Sequence, residues 1–247
     1  MSTTADHSVS AQNPRASIFA KVLVGIDDSP ESLEAARQAA ILATGRVTLL
    51  AAFDLTNAVF GGGMSGPAYV DEEPLREHVE ESLERVKQEL TPVVPVAKIG
   101  RGRAWEVMLD EIADEHHTLV AVGSHGAGRA KGIVIGSTAT ELVHKAPCSV
   151  LVARTPLKQF PSSIVVGVDG SKESAVADAV ARDIAERFGA QLERHENLPK
   201  PVEGLVEAGM EADLLVVGSR GLHGIKALGS VSERVAHGAR CSVLIVR

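Results

Sequence analysis

The chain has 247 residues, 45% of them hydrophobic, which is enough for one large or two modest packed domains. A net charge of −7 with only 3% aromatic residues argues against a nucleic-acid surface, which needs a basic footprint and often stacking rings. Nowhere do about 18 consecutive apolar residues occur to span a bilayer, and the two cysteines form neither a disulfide framework nor a CxxC zinc pair.

Residues 1–17 are polar, lack the apolar core of a secretory signal, and read as a disordered tail of a cytoplasmic protein. Strands are expected at 20–26, 46–53, 94–99, 118–123 and 148–153. Helices are expected between them at 29–43, 74–91, 103–116 and 136–145. The strands are continuous apolar runs rather than alternating ones, the mark of a parallel sheet covered on both faces, and the class is α/β. The charges of the helix within 72–90 recur at four-residue spacing and read as a solvated face.

A repeat follows. "KVLVGIDDSPESLEAARQAA" (21–40) is echoed by "SIVVGVDGSKESAVADAVAR" (163–182), and the stretch from Val120 to Arg154 is echoed by the last residues of the chain, Cys148 matching Cys241. Two related domains are expected, 18–154 and 164–247, joined by an exposed linker at 155–163 whose prolines and serines suit a surface path. Asp27 and Gly123 are 96 residues apart but Asp169 and Gly218 only 49, so the second copy lacks a long loop, a helix and a strand, leaving four strands.

In an open doubly wound sheet, ligands bind beyond the carboxyl ends of the strands where the strand order reverses. With order 3-2-1-4-5, Asp27 and Gly123 share that crevice. After the fourth strand come Gly123, two residues, Gly126, nine residues, then Gly136 and Ser137 opening a helix. Glycines let backbone N–H groups approach a ligand, a helix N-terminus favours phosphate, and Ser137 and Thr138 add hydroxyl donors. GxxxxGK[ST] is absent, and "GAGRAKG" follows a late strand, so neither common phosphate loop applies.

This G-x2-G-x9-G-[ST] pattern, with an aspartate ending the first strand and a closing "APCSVLV", resembles the ATP-binding branch of the universal stress proteins, in tandem. The resemblance implies two Rossmann-like (adenine nucleotide alpha hydrolase-like) domains with parallel sheets, the second truncated. It implies ATP as ligand, with any Mg2+ arriving with the nucleotide. Ile26 and Asp27 would lie on the adenosine side, the backbone near Ala52 at the adenine edge, and Gly123 and Gly126 along ribose and phosphates. Gly136, Ser137, Thr138 and Ala139 would hold the phosphate chain. It further implies antiparallel pairing of fifth strands across a two-fold axis, within one chain or between two copies. The cysteines would then sit about 20 Å apart, too far for a bridge.

The second copy keeps Asp169, Gly218 and Gly221, but only seven residues separate Gly221 from Gly229, and its second strand shrinks to "QLERHEN". It is expected to complete the assembly by packing rather than to hold ATP. No catalytic or metal-binding residue is assigned. "DEHH" (114–117) reads as cationic histidines near a helix C-terminus, His125 as occupying an exposed slot where a cation suffices, and Arg129 and Lys131 either as partners of a γ-phosphate or as flexible surface charge. The functional expectation is a nucleotide-dependent stress-response regulator or sensor, whose loop 124–135 is ordered by ATP. The alternatives are a slow ATPase or adenylate-forming enzyme using the same crevice, and a dimerisation module that binds no nucleotide.

Overall fold

The computed structural model describes residues 19–54, 72–126, 135–219 and 231–247. The first half runs β1 (Lys21–Ile26), α1 (Pro30–Leu42), β2 (Arg46–Phe53), α2 (Glu73–Glu89), β3 (Val96–Arg101), α3 (Ala104–Glu115), β4 (Leu119–Gly123), α4 (Ser137–Lys145) and β5 (Ser149–Ala153). The second runs β6 (Ser163–Val168), α5 (Lys172–Phe188), β7 (Gln191–Glu196), α6 (Pro201–Ala208), β8 (Leu214–Gly218), α7 (Val231–Gly238) and β9 (Ser242–Val246). The expected elements of the first half are all present, each within two residues at both ends. The third strand is a correction: it begins at Val96, two residues late, and extends to Arg101 because Gly100 and Arg101 continue the ladder opposite Ala52 and Phe53. Val94, placed in that strand by its apolar run, lies before it and is 90% exposed.

One nine-stranded sheet spans the described chain in the order β3-β2-β1-β4-β5-β9-β8-β6-β7. All neighbours are parallel except β5 and β9, which pair antiparallel with Leu151 opposite Leu244. The reversal between β1 and β4 is the crossover that opens a crevice at the strands' carboxyl ends. Both apolar clusters cross the β5–β9 join: Leu151 and Leu244 belong to the one that includes α1 and α5, and Val150 and Ile245 to the one that includes α3, α4 and α7.

The join is built from matched contacts. Arg154, just past β5, donates to Cys241 O (3.0 Å) and Ala236 O (2.6 Å) of the second half. Arg247, just past β9, donates to Cys148 O (3.2 Å) and to Val143 O of the first. Each half thus caps the last turn of a helix in the other, using carbonyls that a helix end leaves without partners. Gln38 breaks the symmetry: its Oε1 accepts from Ser242 Oγ (2.7 Å), and its Nε2 donates to Arg154 O (2.8 Å). Val180 occupies the equivalent place in α5, as the alignment of Asp27 with Asp169 requires.

The antiparallel register puts Cys148 and Cys241 at opposite ends of the join, as expected, and both are free thiols. Burial pushes each thiol up to about 11. Native protein at pH 8 should therefore react with a thiol-specific disulfide reagent at less than about a tenth of the rate of a free cysteine of pKa ~8.5. Both thiols should titrate promptly in denaturant, and fast reaction of the native form would contradict this packing.

The linker is exposed over Leu157–Gln159 and anchored after them. Phe160 is buried among the apolar residues below α1 and α5, and Pro161 is buried beside it. Behind them Asp213, fully buried at the start of β8, accepts through Oδ2 from Ser162 N (3.1 Å), Ser162 Oγ (2.5 Å), Ser163 N (3.1 Å) and Ser163 Oγ (3.2 Å). At the far edge β7 has no counterpart of α2 over it. Its Arg194 instead ties to Asp178 of α5 (2.8 Å), which also takes Arg182 (3.0 Å), and charges of this kind keep an edge strand from pairing with other chains.

Candidate functional site

The carboxyl ends of β1 and β4, the first turn of α4 and one flank of α3 enclose a cavity of about 520 Å³. Ile26, Asp27, Ala52, Gly123, Gly126, Gly136, Ser137, Thr138 and Ala139 all line it. The local reasons differ from place to place. Asp27 leaves β1 where Ser29 caps α1: Ser29 Oγ accepts from Ser32 N (3.1 Å) while donating to Asp27 Oδ1 (2.5 Å), and Ser29 N donates to that same oxygen (3.2 Å). The carboxylate is thereby held facing the cavity, with Oδ2 against Gly126, where an added Cβ would come within 2.3 Å of it.

Gly123 answers a different demand. A Cβ there would stand 2.7 Å from the Glu31 carbonyl carbon and 3.0 Å from its oxygen, so the glycine is set by the close crossing of β4 and the first turn of α1. Gly136 accommodates a Cβ, which would meet nothing nearer than 3.7 Å, and its φ of −66° and ψ of 163° suit any residue. Its N–H donates to Ser124 O (2.7 Å), holding the end of the loop against β4. Among the described residues no side chain caps α4, and the residues of its first turn face the cavity. N–H groups and a helix dipole so placed favour an anion.

The opposite wall is apolar. Leu50 and Ala52 come from β2, and Ala104 and Met108, one turn apart on α3, stand across from them. The Met108 sulfur lies against Gly25, where a Cβ would come within 2.9 Å of it. Sequence reasoning missed Gly25, Ser32, Leu50, Ala104, Met108, Val122 and Ile135 as lining residues. The spacing of Ala104 and Met108 marks one face of a helix, yet only the tertiary crossing shows that this face meets β2.

His125 lines the cavity with Nδ1 3.0 Å from Ser124 Oγ. Arg129, Lys131, Gly221 and most of the loop expected to respond to ATP lie outside the described residues. The "DEHH" reading is corrected for His117, which sits in the protein interior with Nε2 3.3 Å from Glu111 Oε1. Burial lowers its pKa despite the raising effect of Glu111, which disfavours the cation expected there. His116 closes α3 in the left-handed conformation, φ 56°. Among the described residues no group of three His, Cys, Asp or Glu side chains is arranged to hold a metal, and no helix is long and apolar enough to cross a membrane.

Residues 19–154 and 191–247 match the model of the universal stress protein family. Universal stress protein Rv2623 of Mycobacterium tuberculosis is 28% identical in an alignment covering 92% of this chain and 96% of its own. Among solved structures, a universal stress protein from Archaeoglobus fulgidus superposes with a TM-score of 0.69 at 20% identity, covering 92% of this chain and 96% of its own. The Pseudomonas aeruginosa protein PA1789 does so at 0.66 and 16% identity, covering 92% of each chain. The two-segment match, the relatives aligned along nearly their whole length and the doubly wound sheet with its tandem halves agree: this chain belongs to the universal stress protein family.

Proposed function

We propose that the first half binds ATP as a regulatory ligand, making the protein a nucleotide-dependent stress-response sensor of the cytoplasm. The observation that carries this reading is convergence. Residues from the ends of β1, β2 and β4 and from the start of α4, far apart in the chain, line one crevice at the point where strand order reverses. Its apolar wall of Leu50, Ala52 and Met108 suits a purine, and the carboxylate of Asp27 suits ribose hydroxyls. The first turn of α4, with Ser137 and Thr138, suits the phosphates, and any Mg2+ arrives with them.

Binding is favoured over turnover by the placement of charge. Phosphoryl transfer needs a carboxylate on the metal and a group that positions the nucleophile. Among the described lining residues Asp27 is the sole carboxylate, and Ser29 donates twice to its Oδ1. Asp27→Ala should weaken ATP binding at least about tenfold, the loss expected for a charged hydrogen-bond acceptor worth ~1.5–3 kcal/mol. The parent should release no ADP above the uncatalysed background in an overnight incubation. Steady ADP or AMP production abolished by Asp27→Ala would replace the sensor with an enzyme, and undiminished ATP affinity in that variant would remove Asp27 from the site.

A further inference from the structure

At the amino ends of β4 and β5, the edge of the sheet opposite the crevice, lies a groove of about 800 Å³. Thr118 and Ser149 line one side, Val176, Ala179 and Val180 of α5 the other, and Arg247 one end. The repeat gives these residues counterparts: Thr118 answers to Asp213, Ser149 to Ser242, Val180 to Gln38 and Arg247 to Arg154.

Those counterparts are where the linker begins and ends. Arg154 N donates to Ser242 Oγ (2.9 Å) as Arg247 N does to Ser149 Oγ (3.2 Å). Ser163 N donates to Asp213 Oδ2 (3.1 Å) as Lys21 N does to Thr118 Oγ1 (3.3 Å). The linker thus joins, on its side of the β5–β9 seam, two points whose mates on the other side are the two ends of the groove. Among the described residues no segment joins those mates. Where Gln38 ties its amide to Arg154 O (2.8 Å), Val180 leaves the groove an apolar floor.

The chain entering β1 has the sequence to take the linker's course. Carried backward, the alignment of Asp27 with Asp169 sets Pro14 on Pro156 and Ile18 on Phe160. Phe160 is buried and Pro156 half-buried, while Leu157–Gln159 between them are exposed. The same alternation stands in residues 14–18: two apolar anchors with Arg15, Ala16 and Ser17 between them. Phe19, which follows directly, is buried, and its carbonyl accepts from Thr44 N (3.0 Å). The segment before it therefore starts from a fixed point beside the groove, which keeps its effective concentration there high.

We propose that residues 13–18 dock along this groove of their own chain, with Ile18 at the Thr118 end and Pro14 toward Arg247. They complete the first half as the linker completes the second.

The test compares Cys148, which lines the groove, with Cys241, its counterpart on the linker side. In a chain lacking residues 1–18, and in the full chain carrying Ile18→Asp, Cys148 should react with a thiol reagent at least tenfold faster than in the parent, with Cys241 unchanged. The full-length variant decides the matter where the shortened chain does not fold. Amide exchange of residues 15–18 should be at least tenfold slower in the parent than in Ala179→Trp, which crowds the groove from an exposed position on α5. Equal Cys148 rates in parent and Ile18→Asp, or amides of 15–18 exchanging at the unprotected rate in the parent, overturn the proposal. Protection of Cys148 that disappears on dilution assigns the groove to a second copy of the chain and overturns it as well.

Discussion

Gly123→Ala should lower the thermal midpoint by about 4–12 °C, corresponding to roughly 2–3 kcal/mol for a chain of this size. The added methyl would lie 2.7 Å from the Glu31 carbonyl carbon, a backbone atom that no rotamer change can move aside. Relief requires the first turn of α1 to retreat from β4. That turn carries Ser29, whose two hydrogen bonds aim Asp27, so ATP affinity should fall together with stability. Gly136→Ala is the control: its methyl meets nothing nearer than 3.7 Å, and stability should stay within about 0.5 kcal/mol of the parent. Equal midpoints for parent and Gly123→Ala, measured by calorimetry, would show that this crossing is not what demands a glycine.

Asp213→Ala should cost about 3 kcal/mol, because it leaves four donors of Ser162 and Ser163 without their buried acceptor. Those donors fasten the linker to the start of β8, so the loss should appear as unfolding rather than as altered ligand binding. The carboxylate also gives stability a dependence on pH. Burial pushes its pKa up, but the hydrogen bonds from Ser162 and Ser163 outweigh that and hold it below the ordinary carboxylate value. A depressed folded pKa contributes stability that is complete above the unfolded value of about 3.9 and is lost as pH falls through the folded one. Denaturant melts of the parent should therefore lose stability in that acid range more steeply than those of Asp213→Asn. Parallel acid limbs for the two would remove Asp213 from the account.

Much of this architecture is legible in local pattern. Continuous apolar runs separated by helix-period stretches identify the parallel strands, and the spacing from Asp27 to Gly123 set against Asp169 to Gly218 reveals which elements the second half lacks. The spaced glycines and Asp27 do line one crevice, since ends of adjacent strands in a doubly wound sheet must be neighbours. What stays hidden depends on contacts between distant elements. Gly123 reads as room for a ligand until α1 is seen crossing it. Phe160 and Pro161 read as surface because linkers are usually exposed, whereas the Phe160 ring joins an apolar cluster and gains more from burial. Asp213, Arg154 and Arg247 carry no local signal: their roles arise only where β5 meets β9 and where β8 begins.

The central claim, that the first crevice is a nucleotide site, is tested most directly by calorimetric titration of ATP into nucleotide-free protein and into Gly136→Val. The backbone at 136 accepts valine without strain, with φ −66° and ψ 163°, so the variant keeps its fold while its methyl groups crowd the entry to α4. The account predicts ATP binding at the first crevice in the parent and at least a tenfold loss of that affinity in the variant. Absence of binding to the parent, or equal affinity in both, would contradict it.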